Sequence, residues 1–318
     1  MFDEKVLLGE QDFEKQMKDV VEPFLEKHLE KGFIESFDGT KIHYLFYRTK
    51  EANGNVVISH GFCEYAPKYE EMVYYLLLAG YNVCVPEHRG HGFSDRKVAN
   101  DEMVHIDSYE EYVQDLHEVV TKLVSPRNRY LLAHSMGGAI AVRYLEEYPE
   151  DFERVILTSP MCGMRTGKFP KWIAREISRM MKKLGKGEDF AMGQHGFRDT
   201  PTFETSSAMS RARYMFFYNM RLQNMNYRTY GGSFSWVYAS LAITKRMMKK
   251  KELSKISCPI LLFQAGKDHM VDNEAQNRFL ELVPQCRMLR ISESKHEIFN
   301  GNETCRQRFY REVFSFLE

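Results

Sequence analysis

Short apolar runs alternate with helical segments along most of this chain, and this alternation restricts the possible folds more than any other feature. Runs of this kind, bounded by turns, are typical of strands that are buried on both faces of a sheet. Strands that alternate with helices form a mostly parallel sheet with helices on both faces, which predicts an α/β fold. The runs are Val56–His60, Val83–Val85, Tyr130–Ala133, Val155–Leu157, Ile260–Gln264 and Met288–Ile291.

The alternation stops between Gly163 and about Lys251, where no clean strand pattern occurs. Before the first run, apolar residues recur at helical spacing up to Leu25, which predicts an amphipathic helix. The polar face of this helix is acidic, which favours packing on the body of the protein over contact with a membrane. The turn Asp38-Gly39-Thr40 between two apolar stretches predicts a hairpin. The sequence therefore predicts three parts: the first part of the body (1–162, with an N-terminal helical extension over 1–31), an inserted helical cap (163–251), and the second part of the body (252–318).

The string Ala133-His134-Ser135-Met136-Gly137-Gly138 stands where a predicted strand runs directly into a predicted helix. That context is required for a nucleophile elbow, a tight turn whose usual pattern is G-x-S-x-G. The turn needs small residues two positions before and two positions after the serine, and Ala133 and Gly137 occupy those positions. The string therefore predicts Ser135 as a nucleophile.

A serine hydroxyl needs an adjacent base, and that base needs an orienting carboxylate. In a sheet of this type the order along the chain is serine, acid, histidine, each on a loop after a strand. Asp268 and His296 follow the last two predicted strands and fit that order. His269 is a weaker candidate because adjacent residues rarely face the same target, and Asp272 is the alternative acid.

Stabilisation of an oxyanion needs two backbone N–H donors. One is expected from the residue after the nucleophile, Met136, and the other from the loop after the strand ending at His60. Gly61 would let that loop twist, so that the N–H of Phe62 points toward Ser135. The remaining histidines near turns are interpreted as structural: His60, His88, His91 and His134.

These strings resemble the α/β-hydrolase superfamily of serine hydrolases, and within it the group of lysophospholipase L2 and monoacylglycerol lipase. Two departures from the family pattern occur, since Ala133 replaces a glycine and Glu87 replaces an aspartate. The resemblance implies the α/β-hydrolase fold with an inserted cap or lid, and ester hydrolysis without a cofactor. The strings that carry it are His60-Gly61 with Glu64 and Tyr69, His88-Arg89-Gly90-His91-Gly92 with Ser94, His134 to Gly138, Gly266 to Asn273, and Lys295-His296-Glu297-Ile298.

The resemblance also implies the roles of the candidate residues. Ser135 attacks the ester carbonyl, His296 accepts its proton, and Asp268 fixes the imidazole tautomer. The N–H groups of Phe62 and Met136 stabilise the oxyanion.

The chain has six scattered cysteines and no C-x-x-C pair, so we expect no metal site. Cysteines in this pattern suggest free thiols in the cytoplasm.

The zero net charge of the chain conceals an uneven distribution. Residues 163–251 hold 18 Lys and Arg against 5 Asp and Glu, and they also hold 10 of the 18 methionines. Methionine and aromatic side chains suit a groove for an acyl chain, and clustered cations suit a phosphate group or an anionic membrane surface. We therefore expect a lipid ester substrate and peripheral membrane contact. Nucleic acid is not expected, because no binding module accompanies the basic residues.

Several functions remain open at this point. A general carboxylesterase, an acyltransferase or a related aminopeptidase would use the same scaffold, and an aminopeptidase would need an acidic anchor that the basic segment scarcely offers. A non-catalytic interaction protein with this fold would not need a complete set of Ser135, Asp268 and His296.

Overall fold

A computed structural model describes residues 4–318 of the chain. Eight of its strands form one sheet in the spatial order β1-β2-β4-β3-β6-β7-β9-β10, and β5 and β8 form a separate pair. The strands are β1 (Leu29–Glu35), β2 (Lys41–Tyr47), β3 (Gly54–Ser59), β4 (Tyr81–Pro86), β5 (Met103–Val104), β6 (Arg129–His134), β7 (Arg154–Thr158), β8 (Gly231–Gly232), β9 (Ile260–Ala265) and β10 (Cys286–Ile291).

The sheet is parallel from β4 to β10, and β2 pairs antiparallel with both β1 and β4. The predicted hairpin is therefore the antiparallel edge of the sheet. Every residue of the central strands β3 and β6 is buried, which is why their sequences show no polar alternation. The predicted mostly parallel sheet with helices on both faces is confirmed.

Two apolar clusters, one on each face of the sheet, form the core. Helices α4, α5 and α10 contribute to one cluster, and α3, α11 and the N-terminal helix contribute to the other. The helices are α1 (Phe13–Gln16), α2 (Glu22–Glu26), α3 (Glu70–Leu78), α4 (Glu110–Leu123), α5 (Met136–Glu147), α6 (Lys171–Lys183), α7 (Arg211–Gln223), α8 (Phe234–Met247), α9 (Lys250–Leu253), α10 (Asn273–Leu282) and α11 (Glu303–Leu317).

The N-terminal extension is packed on the body, as its apolar spacing predicts. Helices α1 and α2 are joined by a π-helical turn over Met17–Val21, and the side chains of Phe13, Met17 and Leu25 are buried. Residues 1–3 of the predicted extension lie outside the described residues. No helix within residues 4–318 combines the length and the apolar character needed to cross a bilayer.

Residues 163–251, called the inserted segment below, contain α6 to α9. The expectation of no strand in this segment was wrong at one point, because β8 pairs in parallel with β5 of the body. The two residues of β8 are glycines, which give no strand signal in the sequence. The segment also packs on the N-terminal helix, where the ring of Phe216 lies 5.5 Å from that of Phe13. The boundaries of the three predicted parts stay a prediction.

Candidate active site

Ser135 lies in a strained turn between β6 and α5. Its backbone has φ 52° and ψ −114°, a conformation that side-chain-bearing residues rarely adopt. The turn is held by hydrogen bonds on both sides, since the Ser135 N–H donates to the Thr158 carbonyl at 3.1 Å and the Ser135 carbonyl accepts from the Met161 N–H at 2.8 Å. The surrounding structure therefore imposes this conformation, as is typical of functional sites.

The small residues around Ser135 have a direct structural reason. A Cβ atom at Gly137 would collide with the carbonyls of Ser59 and His60, and one at Gly138 would lie 2.6 Å from Cβ of Pro160. Helix α5 can approach the end of β3 and the loop after β7 only because these side chains are absent. Ala133 is completely buried at the end of β6, where its methyl group is accommodated.

Asp268 and His296 lie on the loops after β9 and β10 and form a buried pair. Oδ2 of Asp268 lies 2.7 Å from Nδ1 of His296, and Oδ1 accepts the N–H groups of Met270 at 2.8 Å and Val271 at 3.1 Å. Burial acts to raise the pKa of Asp268, but the contact with His296 and the two N–H donors outweigh it and lower the pKa below its ordinary value. The carboxylate is thus held ionised, and it occupies Nδ1 of His296.

The loop that carries His296 is attached to neighbouring loops by backbone and side-chain hydrogen bonds. The Ser159 hydroxyl donates to the His296 carbonyl at 2.8 Å, and the Lys267 N–H donates to the Ser294 carbonyl at 2.9 Å. The ring of His134, which precedes Ser135, lies 4.8 Å from the ring of His296. The structure therefore brings the predicted serine, acid and histidine to the same edge of the sheet, while their catalytic roles stay predictions.

The two weaker candidates have other partners. Asp272 caps the N-terminus of α10 by accepting the Glu274 N–H at 3.1 Å, and it also pairs with Lys171. His269 lines a different cavity from Ser135, described below. Asp268 is thus the carboxylate in contact with His296.

The predicted oxyanion donors, Phe62 and Met136, have unused N–H groups. Within the part of the chain that the structure describes, neither N–H donates to a protein acceptor. The residue with a left-handed backbone in the loop after β3 is Cys63 (φ 58°), so the expected reason for Gly61 was wrong. Gly61 is needed for space, because a Cβ there would lie 2.8 Å from Glu64 Oε2 and 2.9 Å from the His134 ring.

A buried charged cluster, not foreseen from the sequence, joins the loop after β3 to the loop after β10. Nζ of Lys68 lies 2.7 Å from Oε1 of Glu64 and 3.0 Å from Oε1 of Glu297. The other Glu64 oxygen accepts the Gly61 N–H at 2.6 Å and the Tyr69 hydroxyl at 2.5 Å. The i, i+4 spacing of Glu64 and Lys68 was the available signal, but only the fold brings Glu297 to them.

The electrostatics of this cluster have opposing causes. Burial acts to raise the pKa of Glu64, but the charge and hydrogen bond of Lys68, together with the Tyr69 hydroxyl, outweigh it and keep the carboxyl ionised. Burial acts to lower the pKa of Lys68, and the two carboxylates raise it above its ordinary value. Burial lowers the pKa of His134 to about 4, so this ring beside Ser135 is neutral at pH 7.

The other histidines near turns act as structural acceptors and donors. The rings of His60 and His88 are 4.4 Å apart, and Nε2 of His60 accepts the His88 N–H at 2.9 Å. Nε2 of His91 accepts the N–H of Cys63 at 3.2 Å, which helps to hold the loop after β3. Burial lowers the pKa of all three rings, which matches neutral structural roles.

Glu87, which departs from the family pattern, is completely buried and well bonded. Its carboxylate accepts the N–H of Phe93 at 2.7 Å and the N–H of Ala66 at 3.0 Å, and it lies 2.9 Å from Nδ1 of His43. Gly92 (φ +54°) leaves room for the longer side chain, because a Cβ there would collide with the carboxylate. The departure therefore affects packing and not the reacting groups.

Ser135 lies in the wall of a cavity of about 330 Å³, called the first cavity below. Body and inserted segment both contribute walls, and most of the lining side chains are apolar. Among the described lining residues, Arg165 is the single charged side chain. Apolar lining residues include Phe62, Met161, Ile177, Phe234, Trp236 and Met270.

The sequence and the fold are similar to those of known hydrolases. Residues 50–303 match the family model described as serine aminopeptidase, S33. Lysophospholipase L2 of Escherichia coli strain K12 is 30% identical over 291 residues, which cover 88% of this chain and 85% of that protein. A probable lysophospholipase L2 of Haemophilus influenzae is 31% identical over 266 residues, which cover 82% of this chain and 83% of that protein.

A solved structure shares the fold. The crystal structure of monoacylglycerol lipase from Paleococcus ferrophilus is 22% identical to this chain, with a TM-score of 0.68. The alignment covers 87% of this chain and 98% of that one. The likeness therefore extends over nearly the whole length of both proteins.

Proposed function

This chain belongs to the serine aminopeptidase S33 family of the α/β-hydrolase superfamily and is a carboxylic ester hydrolase of lipids, and we propose that it cleaves the single acyl ester of a lysophospholipid or a monoacylglycerol through an acyl-enzyme on Ser135. The geometry that supports the mechanism is the Asp268–His296 pair, together with the strained serine turn at the same edge of the sheet.

In the proposed reaction, His296 Nε2 takes the proton of Ser135 as Oγ attacks the ester carbonyl. Asp268 holds Nδ1 and stabilises the imidazolium that forms. The N–H groups of Phe62 and Met136 donate to the oxyanion of the tetrahedral intermediate. The alcohol leaves with the proton from His296, and a water activated by the same ring then releases the fatty acid and regenerates Ser135.

The observation that carries the lipid proposal is the apolar first cavity beside Ser135. Its lining of methionine, aromatic and aliphatic side chains can bury an acyl chain, and each buried methylene contributes about 0.8 kcal/mol. Methionine adapts to the shape of a flexible chain. These properties favour long acyl groups over the acetyl group of a small general ester.

The aminopeptidase activity in the family description is less well supported. A free amino group of a peptide needs a carboxylate partner near the site. The described residues that line the first cavity include no aspartate or glutamate, and the one charged side chain there is a cation. The cavity therefore favours an uncharged chain.

An acyl-length series tests the proposal. We expect kcat/KM of the purified protein to rise from acetyl to long-chain esters of one alcohol, measured with each substrate below its aggregation concentration. Ser135→Ala serves as the blank for each substrate. A preference for acetyl esters would overturn the lipid proposal while leaving the nucleophile intact.

We also propose that the inserted segment contacts an anionic membrane surface. Trp172 and Leu184 of this segment are 69% and 65% exposed, and exposed lysines, among them Lys168 and Lys183, lie near them in the chain. Co-sedimentation with phosphatidylglycerol vesicles should be lost in Trp172→Ser and retained in Phe33→Ser, which removes an exposed aromatic side chain of the body. Equal binding of both variants would reject the contact.

A further inference from the structure

A second cavity, of about 440 Å³, lies next to the first one. Met270 lines both cavities, and the immediate chain neighbours of the acid and the base, His269 and Glu297, line the second. Its lining differs from that of the first cavity, because it is rich in cations and in serine and threonine hydroxyls. The two cavities thus lie beside the Asp268–His296 pair and differ in charge, because Arg165 is the single charged side chain among the described residues that line the first.

Two of the four lysines and arginines that line the second cavity already have carboxylate partners. Lys68 lies between Glu64 and Glu297, as described above. Arg213 is buried, and its Nη2 lies 2.6 Å from Oε1 of Glu71. These side chains hold the wall together and add little uncompensated charge to the cavity.

The other two, Arg198 and Arg221, form no ion pair with any carboxylate of residues 4–318. Glu297 is the single carboxylate among the described lining residues, and it is the partner of Lys68. The second cavity therefore has two cationic side chains and no acidic group to neutralise them.

Arg221 is held in place from both sides. Its Nη2 donates to the Cys63 carbonyl in the loop after β3, and its guanidinium lies 5.6 Å from the centre of the Tyr65 ring. The carbonyl of Arg198 accepts the Tyr218 hydroxyl at 3.0 Å, which fixes the backbone and leaves the exposed side chain unrestrained. A fixed and a movable guanidinium beside one polar cavity suit an anion with several oxygens.

We infer that the second cavity is a phosphate-binding site for the alcohol portion of the substrate, with Arg198 and Arg221 as its cationic ligands. The inference rests on the proposed function, in which the acyl chain occupies the first cavity and the ester lies at Ser135. The alcohol portion then extends past Met270 into the second cavity. A substrate with a phosphate group gains charge-assisted hydrogen bonds there, and a monoacylglycerol does not.

Arg165 is the alternative ligand for the phosphate. It lines the first cavity, and its Nη1 donates to the Asp268 carbonyl at 3.0 Å. The difference between the two cavities lies in their walls, because Arg165 stands among mostly apolar side chains, whereas Arg198 and Arg221 line one polar cavity together. The second cavity is therefore favoured, and a variant of Arg165 belongs in the test.

The experiment compares two substrates with the same acyl chain, a lysophosphatidylglycerol and a monoacylglycerol, both below their aggregation concentrations. The readout is the ratio of the two kcat/KM values. We expect Arg198→Gln and Arg221→Gln each to lower this ratio about tenfold, the effect of losing a hydrogen bond to a charged group. The matched control is Arg308→Gln, an exposed arginine on α11 outside both cavities, which should keep the wild-type ratio.

Inorganic phosphate distinguishes a head-group site from a site for the free anion. Phosphate should inhibit monoacylglycerol cleavage by the wild-type protein. The inference is supported if Arg198→Gln both weakens this inhibition and lowers the ratio of the two kcat/KM values. Weakened inhibition with an unchanged ratio overturns it, because the cavity then binds free phosphate and not the substrate.

A ratio that stays constant in both arginine variants overturns the inference, and so does a ratio that depends on Arg165→Gln instead. An equal loss of both activities in Arg221→Gln and Arg198→Gln also overturns it, since the arginines would then support the structure of the site. Failure of the proposed function looks different: wild-type protein would cleave neither lipid, or Ser135→Ala would cleave both.

Discussion

The body and the inserted segment of this hydrolase use charge in opposite ways. The inserted segment has a net charge of +13 and the rest of the chain −13. In the body, a buried cation such as Arg89 is surrounded by Asp38, Glu111 and Asp115. In the inserted segment, Arg198 and Arg221 face a cavity without a neutralising carboxylate.

The difference indicates a division of tasks. The buried charges around Arg89 in the body are paired with each other, so they fix loops and are unavailable to a ligand. Some cations of the inserted segment, such as Arg213, are also paired, but Arg198 and Arg221 have no carboxylate partner within residues 4–318 and can select a substrate. We therefore expect substitutions in the body to change the rate for all substrates, and substitutions in the inserted segment to change the choice among them.

The largest expected effect is that of Ser135→Ala. Loss of the nucleophile should lower kcat about 10⁶-fold for every ester and abolish labelling by a fluorophosphonate probe. Ser159→Ala, a substitution of a neighbouring buried serine that bonds the His296 carbonyl, should remain labelled. Labelling of Ser135→Ala at the wild-type level would reject the nucleophile assignment.

The next largest effect on kcat is expected at Asp268, and Asp272 provides the comparison. Asp268→Asn keeps the shape of the side chain but favours the wrong tautomer of His296, and kcat should fall about 10⁴-fold. Asp272→Asn affects the cap of α10 and the pair with Lys171, and kcat should fall less than about tenfold. Steady-state kinetics with one soluble ester decide between them, and the reverse order would make Asp272 the orienting acid.

A smaller and selective effect is expected in the inserted segment. Ile177→Trp fills part of the first cavity, so kcat/KM for a long-chain ester should fall about tenfold relative to a butyryl ester. Leu184→Trp adds the same side chain at an exposed position outside the cavities and should keep the wild-type preference. An equal loss on both esters in Ile177→Trp would break the proposed division of tasks.

The smallest effect concerns the stability of the body. The pKa of His134 is lowered to about 4 in the folded protein, so the unfolded chain takes up this proton first as the pH falls. The stabilising contribution is complete above about pH 6.5 and is lost as the pH falls toward 4, by at most about 1.4 kcal/mol per pH unit.

Urea denaturation between pH 7 and 5 measures this contribution. The free energy of unfolding should depend less on pH in His134→Asn than in wild type. His28→Asn, far from the site in the chain and on the surface, should keep the wild-type slope. An unchanged slope in His134→Asn would show that other titrating groups, among them His60, His88, His91 and Glu146, account for the pH dependence.

The sequence was sufficient to predict the elements that carry a strong periodic signal. The buried runs, the strand-to-helix turn at Ser135 and the loop positions of Asp268 and His296 all follow from local pattern and chain order. Helix α11 (Glu303–Leu317) has the same local origin, since its apolar spacing and the Asn302 cap both lie in one short stretch of the chain.

Features that depend on distant contacts could not be predicted in this way. The pairing of β8 with β5 joins glycines to a strand more than a hundred residues earlier, and neither partner has strand periodicity. Of the two carboxylates on Lys68, Glu64 is four residues away but Glu297 follows the last strand, so no local pattern contains both. The same holds for the second cavity, because only the folded structure shows that Arg198 and Arg221 have no carboxylate partner among residues 4–318.

The cluster around Lys68 can be completed only late in the synthesis of the chain. Glu64 and Lys68 emerge early from the ribosome, whereas Glu297 follows β10, the last strand of the sheet. A nascent chain can therefore fold the serine turn but cannot yet fix the loop after β3 to the loop of His296. Because the proposed base, its proposed acid and Glu297 all arrive with the last two strands, we expect a partly made chain to be unable to hydrolyse lipids.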